Sequence, residues 1–92
     1  MDKLEKLKLM DKILRELEDA INTETSLVKK IAQLEAENIN LSDQILDKGL
    51  TEIFNHVDEA LSQTTSLQTE YTAIRDKFVK DNKLEEAPVE AE

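Results

Sequence analysis

The segment ILDKGLTEIF, Ile45–Phe54, holds the only glycine in the chain, and its reading decides how the helices fold back on one another. Gly49 can take a left-handed backbone after the last turn of a helix, with Leu50 returning as the accompanying apolar contact. Thr51 is then a natural cap for the next helix, and Glu52 sits near its positive dipole end. The segment therefore predicts a tight turn at residues 49–51, between a helix over about 26–48 and another over about 51–81.

Downstream of this turn, Leu50, Ile53, Val57, Ala60, Thr64, Leu67, Tyr71, Ile74 and Phe78 alternate in steps of three and four. That spacing is one face of an amphipathic helix, here predicted to be about 46 Å long at ~1.5 Å per residue. Phe54 and Leu61 broaden the face. A helical domain is expected over residues 1–82, followed by a disordered acidic tail at 83–92, where KLEEAPVEAE has little to bury.

Upstream, Leu27, Ile31, Leu34, Asn38, Leu41 and Ile45 form a second seam. Ile31, Asn38 and Ile45 occupy one heptad position, and Leu27, Leu34 and Leu41 the other. β-Branched residues and leucines so arranged favour two parallel strands, in which a buried asparagine pairs with its twin and fixes register. Over Leu27 to Ile45 the chain resembles the core of a leucine zipper. The residues before it, ELEDAINTETS, are acidic, whereas zipper transcription factors place a basic, DNA-reading helix there. Ile39 and Leu46 lie off the strict seam, so a compact three-helix bundle with Asn38 at a groove edge is the competing architecture.

The first fifteen residues carry Lys3, Lys6, Lys8, Lys12 and Arg15 against Asp2, Glu5 and Asp11. Leu7, Met10, Leu14, Leu17 and Ile21 form the amphipathic stripe of a helix over about 2–22. The polar NTETS, residues 22–26, separates this stripe from Leu27. NTETS can be a turn with Thr25 or Ser26 capping the following helix. With neither glycine nor proline there, fusion into one helix is slightly favoured, and the ten residues from Ile21 to Ile31 then imply a stammer in the heptad register. Paired with a shorter helix, the amino-terminal stripe would need a second chain to cover it.

The composition excludes several classes of function. A formal net charge of −9 disfavours direct nucleic-acid binding. No cysteine is present to form a disulfide or thiolate metal site. The segment MDKLEKLKLMDKIL lacks the apolar run of a secretory leader, and no stretch approaches the ~20 apolar residues of a membrane span. His56 shares a helical face with Glu52 and Glu59, but this trio matches neither di-iron nor zinc-protease spacing. A solvated face is the preferred reading, with no metal, cofactor or catalytic residue assigned. The Ser- and Thr-rich SQTTSLQTEYT, residues 62–72, has no base poised near it.

These features predict an all-α protein of long helices with heptad seams, a helical hairpin or coiled coil. The expected function is a cytoplasmic, non-enzymatic homo-oligomer acting as adaptor, scaffold or assembly chaperone for another protein. The alternative is an acidic inhibitor that imitates nucleic acid in a basic groove, since residues 31–74 carry eight acids against Lys48 alone.

Overall fold

The structure, a computed structural model, describes residues 1–84. The expected tail therefore lies outside the described residues, except for Lys83 and Leu84. The chain is an all-α hairpin of two long antiparallel helices, α1 (Lys3–Leu41) and α2 (Gln44–Asp81), with no strand among the described residues. Its longest dimension is 59 Å, against 23 and 18 Å across. A 39-residue helix at ~1.5 Å per residue spans nearly all of that length.

Helix α1 begins with a capping box. The Asp2 carboxylate accepts a hydrogen bond from the Glu5 amide at 2.7 Å, and the Glu5 carboxylate accepts one from the Asp2 amide at 3.2 Å. The helix then runs unbroken through NTETS, so the first two predicted segments are one element. Fusion requires no stammer. Leu7, Met10, Leu14, Leu17, Ile21, Glu24, Val28, Ile31, Glu35 and Asn38 step by three and four without a slip, and all are buried or half-buried. The seam continues through Glu24, a residue that a search for apolar letters passes over.

The turn lies at Ser42 and Asp43, seven residues before the glycine predicted to make it. Ser42 adopts the left-handed conformation, φ 59° and ψ 38°, and its amide donates to the Asn38 carbonyl at 2.6 Å. Its hydroxyl donates to the Ile39 carbonyl at 3.2 Å. Asp43 caps α2, its carboxylate accepting from the Leu46 amide at 2.9 Å. A serine can hold a left-handed residue here because neighbouring carbonyls satisfy both its amide and its hydroxyl.

Gly49 is an ordinary helical residue of α2, with no positive φ. A Cβ built there meets no atom within 4 Å. Glycine inside a helix costs ~0.5–1 kcal/mol relative to alanine. Gly49→Ala should therefore stabilise the protein by up to about 1 kcal/mol and raise the thermal midpoint by several degrees, measurable by circular dichroism. A turn at 49–51 demands the opposite sign, because alanine would be strained in the left-handed conformation.

Helix α2 contributes Leu50, Phe54, Val57, Leu61, Thr64, Gln68, Tyr71, Arg75, Phe78 and Asn82 to the contact, again in alternating steps of three and four with Asn82 as its carboxyl cap. Because α2 is nearly as long as α1, the amino-terminal stripe does not overhang it. Leu7, Met10, Leu14, Leu17 and Ile21 face α2 of the same chain. The apolar residues buried along the hairpin are Met10, Ile31, Leu50 and Val79, and none of the described side chains is completely sealed from solvent.

Candidate interaction surface

Asn38 is 7% exposed. Its amide nitrogen donates to the Asp43 carbonyl at 3.0 Å, and its amide oxygen accepts from the Asp43 amide at 3.1 Å. The side chain thus pairs with the backbone of Asp43 as one peptide group pairs with another. The asparagine expected to meet its twin across a dimer axis instead fastens the turn of its own chain. This supplies both hydrogen-bonding partners that a buried amide requires.

Over residues 27–41 of α1 and along α2, the predicted seam and the observed contact share one heptad position and differ in the other. On α1, Ile31 and Asn38 face inward, while Leu27, Leu34 and Leu41 lie on the flank, Leu41 being 67% exposed. On α2, Leu50, Val57, Thr64, Tyr71 and Phe78 face inward, whereas Ile53, Ala60, Leu67 and Ile74 lie on the flank. Ile45, assigned to the upstream seam, belongs to the first turn of α2 and is 84% exposed.

The flank positions form two apolar rows at heptad spacing. Helix α1 carries Ile13, Ala20, Leu27, Leu34 and Leu41, and helix α2 carries Leu46, Ile53, Ala60, Leu67 and Ile74. In an antiparallel pair, positions that precede each helix's inward residue by the same angle fall on the same side. Both rows precede theirs by about 50° at ~3.5 residues per turn, so they share one flank of the hairpin. The turn-proximal end makes this visible: Leu34 and Leu41 of α1 and Leu46 and Leu50 of α2 line one shallow depression of about 200 Å³.

The opposite flank is polar. Gln68 donates to the Glu18 carboxylate at 2.6 Å. Arg75 grips Asp11 through Nε at 2.8 Å and Nη2 at 3.5 Å. This hydrogen bond to Asp11 raises the arginine's pKa above its ordinary value. Between the flanks, at mid-length, the Thr64 hydroxyl lies 3.2 Å from Glu24 Oε2 and 2.9 Å from the Ala60 carbonyl. Near the open end, the Lys6 ammonium rests 4.9 Å from the centroid of the Phe78 ring.

The polar residues within the seam explain why apolar spacing follows the flank rows rather than the inward ones. Contact between two helices is shallow, so Gln68 and Arg75 can lay their stems along it and carry their heads to its edge, while Glu24 meets Thr64 within the seam. The missed signals were local. Ser42-Asp43 supplies a cap three residues before Leu46, and the unbroken three-four rhythm through Glu24 and Val28 gives the true register.

Among the described residues, no three His, Asp or Glu side chains come together in a way that could hold a metal ion. Glu52, His56 and Glu59 all lie on the solvent side of α2. No described helix is long and apolar enough to cross a membrane. No family model matches the chain, and no curated protein or solved structure is significantly similar to it.

Proposed function

We propose that this chain is a non-enzymatic protein–protein interaction module, a small coiled-coil oligomer serving as adaptor, scaffold or assembly chaperone in the cytoplasm. The observation that supports this reading is the apolar flank: two rows at heptad spacing run side by side along the hairpin and are left uncovered by its own helices. Leu27 is 43% exposed and Leu67 53%. A contiguous apolar strip of this kind marks a contact surface in water-exposed proteins. Its heptad period suits another helix, since side chains recurring every seven residues insert between those of a helical partner.

Sedimentation equilibrium across a dilution series tests the proposal. The chain should be larger than a monomer at micromolar concentration and dissociate on dilution. Leu27→Glu combined with Leu67→Glu should shift it to monomer while its helical circular dichroism persists, because both side chains point away from the internal seam. A strict monomer at high micromolar concentration would overturn the reading.

A further inference from the structure

We infer that the apolar flank is occupied by the same flank of a second copy, related by a two-fold axis that places the two turns at opposite ends of a four-helix bundle. This deepens the self-association proposed above and rests on it. The rows supply the surface: eight of their ten residues pair in this docking, Leu41 and Leu46 beside the turn falling outside it. When α1 is laid antiparallel on the other copy's α1, Ile13 falls opposite Leu34 and Ala20 opposite Leu27. Treating α2 the same way sets Ile53 opposite Ile74 and Ala60 opposite Leu67. Each alanine then faces a leucine, and small against large is the pairing that fills a helix interface without voids.

Both rows have a centre of symmetry at the same level of the hairpin. The α1 pairing is centred between residues 23 and 24, and the α2 pairing between 63 and 64. Glu24 and Thr64 stand at one level of the hairpin, joined across its seam at 3.2 Å. A single two-fold axis at that level therefore satisfies both helices at once, as an isologous interface requires.

Charges on the rim select this arrangement over the other two-fold docking. With the turns at opposite ends, Glu16 faces the other copy's Lys30, and His56 faces its Glu70. With the turns together, α1 lies on the other copy's α2, Glu16 meets Glu70, and Lys30 meets His56 without a carboxylate. Like charges placed directly across an interface disfavour it.

Because the chain has no cysteine, single cysteines placed at exposed positions can carry spin labels without further substitution. Thr23→Cys lies beside the inferred axis, and Asn40→Cys lies near the turn. Pulsed electron resonance on the dimer should give less than about 25 Å between labels at position 23. At position 40 it should give about 50 Å, from some sixteen residues on each side of the axis at ~1.5 Å each. A dimer with the position-40 labels within about 25 Å would overturn the inferred arrangement while leaving self-association intact. A chain that stays monomeric would overturn both. Lys30→Glu should weaken the dimer about threefold or more, and adding Glu16→Lys should restore it. Residues 16 and 30 lie about 21 Å apart along one helix, so restoration requires contact between copies; failure of the double variant to recover would count against the pairing.

Discussion

Asn38→Asp should lower the stability of the hairpin by about 2–3 kcal/mol at neutral pH, and the loss should shrink as the solution is acidified. The substitution keeps the shape of the side chain and the acceptor for the Asp43 amide. It removes the donor that serves the Asp43 carbonyl and places a carboxylate against that oxygen in a largely buried position. A charged group facing an acceptor, with little water to solvate it, costs more than a missing neutral hydrogen bond. Such surroundings raise the carboxyl's pKa in the folded state. Its protonated form, which can donate to the carbonyl again, is the one the fold favours. The deficit should therefore be full above the folded pKa and fade as pH falls towards the ordinary aspartate range near ~4. Urea titrations of both proteins at several pH values measure it. A deficit independent of pH, or none at all, would mean that Asn38 does not hold the turn.

The second large effect separates the internal seam from the flank. Ile31→Ala should cost about 2–4 kcal/mol, as expected when a buried branched side chain is cut back and its space is only partly refilled. Leu34→Ala, at a position already 39% exposed, should cost under about 1 kcal/mol in dilute solution. The two should also respond differently to concentration. Burying Leu34 in a dimer ties its contribution to mass action, so its cost should grow as protein is added, whereas that of Ile31 should change little. Denaturation midpoints at two concentrations about a hundredfold apart would show this. Equal costs at both positions, unchanged by concentration, would put Leu34 back in the interior.

These two residues also show what the sequence made legible. An all-α hairpin with heptad seams could be read from spacing alone, because Leu50, Val57, Thr64, Tyr71 and Phe78 keep their period over most of α2. The inward face of each helix could not, because apolar letters alone do not say which of two adjacent heptad rows meets the other helix. Choosing the more apolar side selected Leu27, Leu34 and Leu67 over Val28, Glu35 and Gln68. The turn was misplaced for a related reason. Gly49 carries the strongest general signal for a helix end, while Ser42-Asp43 works through specific hydrogen bonds with Asn38, Ile39 and Leu46 that appear only when the chain is folded. The buried amide of Asn38 does need a partner, and that partner lies five residues away in the same chain.

The clasp between Asn38 and Asp43 also orders the way the molecule opens. Contacts beside the turn close a loop of only a few residues, whereas Asp11 and Arg75 are separated by 64 positions and draw together ends that are far apart along the chain. Loop-closure entropy rises with that separation, so the hairpin should form from the clasp outwards and come apart from the far end inwards. Backbone amides should accordingly exchange with deuterium along a gradient, slowest near Ile31 and Leu50 and faster towards the Lys6–Phe78 stack, as in a zip whose slider rests at residue 42.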